Sequence, residues 1–280
     1  MSLPCRFCLS SPRFRPWRRQ LLFGSTWKIP GATALCRWKS ICPPQGKPPG
    51  FISPELSTMN LPQTLAARVR ASLEGRDTPF VVALCGWADT GKSTVAAQLV
   101  AGLARLGIAA DAISTDDFMR NRAERDAIGI SGYDLRSIDM AALQMAIVSF
   151  LERKPFCVHP YDNRTGTKSA EPTTVSPVDV LVVEGIHSLH PRLVPHSGLK
   201  VFIDADEAIA YQLRVRANQR KRGMSASDAV SRVPREWKDY STWVRPRCEH
   251  ADLVVQVDLE FGYRWVRNGT SEGKAGQETA

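Results

Sequence analysis

The sequence predicts an α/β protein: a mostly parallel sheet with helices on both faces, organised around a phosphate-binding loop. Three observations carry that prediction. A short apolar run, Val81–Cys85, feeds Gly86-Trp87-Ala88-Asp89-Thr90-Gly91-Lys92-Ser93, which fits G-x-x-x-x-G-K-[ST], and a helical pattern follows at once. Further apolar runs of strand length alternate with helical patterns, which right-handed crossovers build into a parallel sheet covered on both sides. Acids stand at the ends of three of those runs, at Asp116, Glu184 and Asp204. In an open α/β sheet the ligand site lies beyond the carboxyl ends of the strands.

The elements follow in order. Leu65, Val69 and Leu73 fall four apart and predict an amphipathic helix over Leu61–Leu73. After the loop, Val95, Leu99 and Leu103 form the core face of a second helix, which Gly107 stops. Ile108–Ser114 reads as a strand ending in Thr115-Asp116-Asp117-Phe118, and Arg120–Tyr133, charged and without period, as a loop. Ser137 or Asp139 caps a helix whose apolar face is Leu143, Ile147, Phe150 and Leu151. Phe156-Cys157-Val158 is a strand end before a polar loop, and Val178–Val183 is the clearest buried strand. Leu199–Ile203 is the next strand. Asp206 then caps a long helix with Ile209, Leu213 and Ala217 on one side and Arg214, Arg216, Arg220, Lys221 and Arg222 on the other. A further helical region carries Trp237, Tyr240 and Trp243, Leu253–Val257 is the last strand, and 269–280 reads as a polar, disordered tail.

The net charge of +9 suggests nucleic acid until it is located. Residues 1–54 hold nine Lys or Arg and no acid, and from Glu55 onward 28 basic residues meet 28 acidic ones. The excess belongs to a leader, 1–58, that also holds nine of the 19 prolines and four of the seven cysteines. Its Arg-rich, acid-free composition reads as an organelle transit peptide, or as an upstream extension of the reading frame before Met59. A zinc site on Cys5, Cys8, Cys36 and Cys42 and a basic nucleic-acid arm are weaker alternatives, since the second cysteine pair is too widely spaced and no His is near. The expected domain is 59–268, binding no nucleic acid. No run of 18 apolar residues occurs and Leu21-Leu22-Phe23 is too short for a secretory segment, so no membrane span is expected. Cys85, Cys157 and Cys248 lie singly in apolar surroundings, which suits reduced, buried thiols in a cytoplasmic compartment; a mitochondrial or other organelle location follows if the leader is a transit peptide.

The chemistry expected of the loop is phosphate binding. Gly86 and Gly91 let the backbone aim its N–H groups inward, and the helix opening at Lys92 adds the positive end of its dipole. The candidate ATP-binding residues are Gly86, Ala88, Asp89, Thr90, Gly91, Lys92, Ser93 and Thr94, with Lys92 reaching the outer phosphates and the Ser93 hydroxyl ligating Mg²⁺. Phosphoryl transfer also needs acids near the metal and a group to orient the nucleophile, for which Asp116 and Glu184 stand at the right strand ends. Successive side chains on extended backbone point to opposite faces, so only one of Asp116 and Asp117 can look into the site. The basic helix face, opposed by few nearby acids, reads as a lid that closes onto ATP phosphates, with Arg214 and Arg220 as candidates.

These motifs taken together resemble the uridine kinase and phosphoribulokinase group. They are Gly86–Thr94, Thr115–Phe118, Tyr133-Asp134, Pro160-Tyr161-Asp162, Glu184-Gly185-Ile186, the Arg-rich helix to Gly223 and His250-Ala251-Asp252, and the likeness covers about 78–258. The resemblance implies a P-loop NTPase fold with an Arg-rich lid helix, and ATP phosphorylating a hydroxyl of a small molecule with Mg²⁺. By position Asp116 matches the catalytic acid, Glu184 the acid near the metal, and Asp134 and Tyr161 the acceptor-binding positions, with Arg164 beside them. The acceptor region departs from uridine kinases: Met119 follows Phe118 in place of a second aromatic, and Tyr161-Asp162-Asn163-Arg164 lacks their His. A uridine-like nucleoside is the first acceptor expected; a sugar, sugar acid, sugar phosphate or pantothenate-like alcohol is the alternative, and self-association is left open. A GTPase switch would need an N-K-x-D segment, which is missing. A silent nucleotide-binding regulator would be expected to have lost Lys92, Asp116 or Glu184, and all three are present.

Overall fold

The computed structural model describes residues 59–268. The leader, its four cysteines and the tail from 269 lie outside the described residues.

Among the described residues ten strands and six α-helices follow one another. Helix α1 (Leu61–Leu73) precedes β1 (Phe80–Gly86), α2 (Lys92–Arg105), β2 (Ala110–Ser114), α3 (Arg122–Ala127) and α4 (Met140–Leu151). Then come β3 (Phe156–Val158), β4 (Tyr161–Asp162), β5 (Thr167–Lys168), β6 (Thr173–Val175) and β7 (Val180–Glu184). Next are β8 (Leu199–Asp204), α5 (Glu207–Arg222), α6 (Ala226–Trp243), β9 (Leu253–Val257) and, last of the described elements, β10 (Tyr263–Asn268).

The main sheet has the order β10-β9-β8-β1-β7-β2, parallel except for β10, which runs antiparallel to β9. β1 and β7 are buried along their whole length, as their unbroken apolar runs require. Alternate residues of β7 feed two separate cores. Val180 and Val182 pack with Leu65, Leu99 and Leu213 of α1, α2 and α5, whereas Leu181 and Val183 pack with Leu143, Ile147 and Phe150 of α4. Helices therefore cover both faces.

Register sets the site. Leu84 pairs with Glu184 on one side and Val201 on the other, and Ser114 pairs with Glu184. The phosphate loop leaves β1 between β7 and β8, with Glu184 at the end of one neighbour. Gly86 sits at φ 138, and a Cβ there would collide with the carbonyl oxygen of Ile203 in β8. Gly185, at φ 137, presses against the Thr115 side chain, which draws the end of β7 onto the turn that carries Asp116.

Several local expectations change. Asp139, not Ser137, caps α4, its carboxylate accepting from Ala142 N–H at 2.9 Å. Asp206 stands at the start of α5 but makes no capping bond there. The stretch read as a loop over 120–133 contains α3, which buries none of its side chains and so has no apolar face to betray it. The polar loop after Val158 is a nested arm in which β3 pairs with β6 and β4 with β5, both antiparallel. Of the three cysteines in the folded part only Cys85 is buried; Cys157 is exposed and Cys248 half-buried. No helix among the described residues is long and apolar enough to cross a membrane.

Candidate active site

The phosphate loop is held from inside. Thr90 donates its hydroxyl to the Trp87 carbonyl at 2.8 Å, and Lys92 Nζ donates to the same oxygen at 2.5 Å. Lys92 is 6% exposed, and burial pushes its ammonium below the ordinary lysine range, with Glu184 pulling the other way. An ammonium has three donors. One is used on Trp87, and the others remain for an anion set in the loop.

Trp87, the loop's second residue, is fully buried. Its ring stacks on Tyr133 (centroids 5.4 Å apart, planes at 12°) and meets Tyr240 and Trp237 edge-on at 4.7 and 5.3 Å. Its Nε1–H donates to the Ala210 carbonyl of α5 at 3.2 Å. The aromatic cluster fastens the loop to α5 and α6, and nothing in the G-x-x-x-x-G-K-S pattern foretells it.

Ser93 and Thr94 are exposed at the first turn of α2. Ser93 Oγ donates to Glu184 Oε1 at 3.0 Å, so the hydroxyl and the carboxylate converge on one point. Burial raises the Glu184 carboxyl above its ordinary range, opposed by Lys92, with Asp116 adding to the rise. The pair fits Mg²⁺. Among the described residues no three His, Cys, Asp or Glu side chains converge, and Mg²⁺ characteristically takes one or two carboxylates, with water and phosphate as its other ligands.

Asp116 and Asp117 lie on a single 3-10 turn, Thr115–Phe118, rather than on extended backbone. The two side chains still diverge, because successive residues of such a turn are rotated by about a third of a circle. Asp117 is consumed by backbone: its oxygens accept from Ser114 N–H at 3.2 Å and Tyr161 N–H at 3.0 Å. Asp116 is half-buried, interacts electrostatically with both Lys92 and Glu184, and accepts from the Asn163 side-chain amide at 3.1 Å. Asp204 is bound by the Tyr240 hydroxyl at 3.0 Å and its neighbour Ala205 N–H, which tie the end of β8 to α6.

The β4–β5 arm reaches over Asp116 from the side of α3. Arg122 donates to the carbonyls of Asn163 (2.5 Å) and Arg164 (3.3 Å), and Arg125 donates to the Tyr161 hydroxyl at 2.7 Å with its guanidinium over that ring. The Arg164 side chain itself points outward, 79% exposed. Asp134 caps a short turn and is paired with Arg136 at 2.7 Å, whose hydrogen bonds hold its carboxyl below the usual range. His187, three residues beyond Glu184, is buried and shares a hydrogen bond with the Gly132 carbonyl at 3.0 Å. Burial depresses its imidazole, and it lies within electrostatic reach of Asp116 and Asp134. The sequence reading passed over His187; its place just after the Glu184-Gly185 strand end is the signal that marks it.

The Arg-rich helix is not uniformly solvated. Arg214 is buried, clasped by Glu236 through two bonds (2.7 and 2.8 Å) and joined to Asp89 of the phosphate loop at 2.6 Å. Lys221 also reaches Asp89, at 2.6 Å, and Arg232 reaches Glu236 at 2.8 Å. Burial alone would raise the Asp89 carboxyl, but Arg214 and Lys221 hold it at about 2. Glu236 likewise resists burial and stays at about 2 through Arg214 and Arg232. Arg220, by contrast, is exposed. The acids that the basic face lacked in sequence come from two other elements.

Comparison with known proteins agrees with this geometry. A model described as the phosphoribulokinase / uridine kinase family matches residues 81–260. The uridine kinase of Lactobacillus helveticus is 24% identical over 185 residues, covering 64% of this chain and 87% of that protein. Two solved structures share the fold. One is a candidate fructose transport system kinase from Silicibacter sp. TM1040 (TM-score 0.61, 20% identical, 70% of this chain and 98% of that one). The other is D-glycerate 3-kinase from Cryptococcus neoformans (TM-score 0.56, 15% identical, 74% and 99%).

Proposed function

The chain belongs to the phosphoribulokinase / uridine kinase family and is a P-loop small-molecule kinase, and from that premise we propose that it transfers the γ-phosphoryl group of ATP to a hydroxyl of a nucleoside, with Mg²⁺. The observation that carries the reading is the gathering of Lys92, Ser93, Glu184 and Asp116 at one end of the sheet. The loop amides from Gly86 to Thr94 cradle the phosphates, and Lys92 places its charge among them. Ser93 and Glu184 would hold Mg²⁺, which when bound neutralises phosphate charge. Asp116 accepts the proton of the acceptor hydroxyl, and Asn163 orients that carboxylate. Asp134 and Tyr161 border the acceptor, and Arg214 acts on ATP through Asp89 rather than by touching it.

The nucleoside is supported by the names of the relatives, at about a quarter identity. A second acceptor class, an anionic polyol such as a sugar acid or sugar phosphate, is favoured by one observation. Arg122 and Arg125 face the arm over Asp116 with only neutral partners among the described residues, and Arg125 Nε is buried without a partner. ATP consumption measured against uridine, cytidine, glycerate, sugar phosphates and pantothenate tests both readings. Turnover with none of them would sink the pair.

A further inference from the structure

The phosphate loop carries one large side chain that is turned away from any anion. Trp87 is fully buried, while its carbonyl takes the Thr90 hydroxyl and the Lys92 ammonium at 2.8 and 2.5 Å. Whatever fixes the loop and its lysine therefore fixes residue 87. The indole meets Trp237 and Tyr240 of α6 edge-on, and its N–H reaches α5. Its contact with Tyr133 differs in kind. Those two rings are stacked, with planes at 12° and centroids 5.4 Å apart, and Tyr133 leads directly into Asp134.

Tyr133 is held there by its ring. It is buried, yet its hydroxyl has no hydrogen-bond partner among the described residues. A buried tyrosine ordinarily finds one, so the stack and not the hydroxyl decides where this side chain lies. On the other side of the segment, the Gly132 carbonyl accepts from Ser137 Oγ at 2.9 Å and from His187 Nε2 at 3.0 Å. His187 follows Glu184 by three residues. The segment 132–134 is thus slung between the strand end that carries Glu184 and the loop that carries Lys92.

We infer that Trp87 is a positioning residue: through its stack on Tyr133, the order that a bound nucleotide imposes on the phosphate loop passes to the segment that carries Asp134. The inference rests on the proposed use of ATP and on Asp134 as a neighbour of the acceptor, and adds a physical link between the two sites. A fully buried ring meets neither substrate itself, so its effect runs through Tyr133. A ligand that stiffens one side of a packed contact lowers the freedom of the other without displacing it. Such order is read as slowed amide exchange.

The test follows hydrogen exchange of the full chain over 131–137, with and without the non-hydrolysable ATP analogue AMP-PNP and Mg²⁺. In the unaltered chain the analogue should slow exchange there by roughly two- to tenfold, the worth of one aromatic pair. Trp87→Leu and Tyr133→Leu each break the stack from one side. Tyr133→Leu leaves the indole on α5 and α6, so it carries the test if Trp87→Leu fails to fold. Either variant should bind AMP-PNP within about threefold of the unaltered chain and lose the slowing. Tyr133→Phe keeps the ring and discards only the orphan hydroxyl, so the slowing should stay. A ring that merely fills the core would shift exchange equally with and without nucleotide. AMP-PNP bound without slowing in the unaltered chain, or slowing that survives Tyr133→Leu, would overturn the link, as would its loss in Tyr133→Phe. If AMP-PNP binds and slows exchange but no acceptor is phosphorylated, the proposed function falls and the link stands. If AMP-PNP does not bind, both fall.

Discussion

Arg214 of α5 joins the phosphate loop to the helix beyond it: one guanidinium nitrogen lies 2.6 Å from Asp89, and two others grip Glu236 of α6. Asp89 is the loop residue with φ 64, so its carboxylate is fixed where its backbone is least comfortable. Arg214→Ala leaves two buried carboxylates short of a counter-charge. Breaking a buried pair from one side costs about 3–5 kcal/mol, and Lys221 and Arg232 keep the expected loss near 3. Urea unfolding reads this directly. A loss under about 1 kcal/mol would mean that the network is ornamental to the fold.

The same network sets an acid limb. Asp89 and Glu236 sit at about 2 in the folded chain, against about 3.9 and 4.3 when unfolded. A depressed carboxyl contributes stability that is full above its unfolded value and lost as pH falls through the folded one. Unfolding free energy should therefore decline between about pH 4 and pH 2. Asp117 and Glu184, raised by burial, act in the opposite sense just above the ordinary range, so the informative quantity is a difference. Asp89→Asn should give a shallower decline over that window than the unaltered chain. Parallel curves would remove Asp89 from the account.

How much of this was legible depended on where the partners lay. The phosphate loop, β7 and the Asp116 and Glu184 strand ends were readable because each is local: a fixed glycine–lysine spacing, a continuous apolar run, an acid at its end. The ion-pair role of Arg214 was not, because Asp89 and Glu236 stand 125 and 22 residues away and a guanidinium in a basic run with few acids beside it reads as one reaching for ATP phosphates. Helix α3 and the strands β3 to β6 left no period, since the helix buries no apolar side chain and the strands run two or three residues each. The divergence of Asp116 and Asp117 was expected for a wrong reason. The chain there is a 3-10 turn, and it is the two amides bonded to Asp117 that separate their tasks.

That separation gives a paired prediction. Lys92→Ala should abolish turnover, since the loop keeps its N–H donors and loses its point charge. Asp116→Asn should lower kcat by at least about a hundredfold with ATP still bound, the range of a general base. Asp117→Asn should act mainly on stability, by about 1–2 kcal/mol, through weakened hydrogen bonds to Ser114 and Tyr161. Steady-state kinetics and thermal unfolding on the three variants check it. The reverse order for the two aspartates would reassign the acid.

The residues proposed to bind phosphate, hold Mg²⁺ and take the acceptor proton fall between Gly86 and Glu184, and Arg214, which supports the loop, also lies within 59–268. Removing residues 1–58 should accordingly leave the thermal midpoint within a few degrees and turnover within about twofold. A large fall in either would give the basic leader a part in the fold or the chemistry.

The acceptor side is tested through Tyr161, whose hydroxyl takes a hydrogen bond from Arg125 at 2.7 Å while the guanidinium lies over its ring. Tyr161→Phe keeps the ring contact and removes the oxygen, so Arg125 loses its one hydrogen-bonded side-chain partner among the described residues. Losing a hydrogen bond to a charged group is worth about 1.5–3 kcal/mol, and the arm that carries Tyr161 also carries Asn163, which touches Asp116. The acceptor KM should therefore rise about tenfold or more with the ATP KM unchanged, because the phosphate loop is untouched. The direction separates the two acceptor classes. For a nucleoside, Arg125→Ala should resemble Tyr161→Phe, since both merely loosen the arm. For an acceptor that carries a carboxylate or phosphate, Tyr161→Phe frees the guanidinium and should cost less than Arg125→Ala, which removes the charge. A change in the ATP KM instead would place the arm on the donor side and refute the assignment.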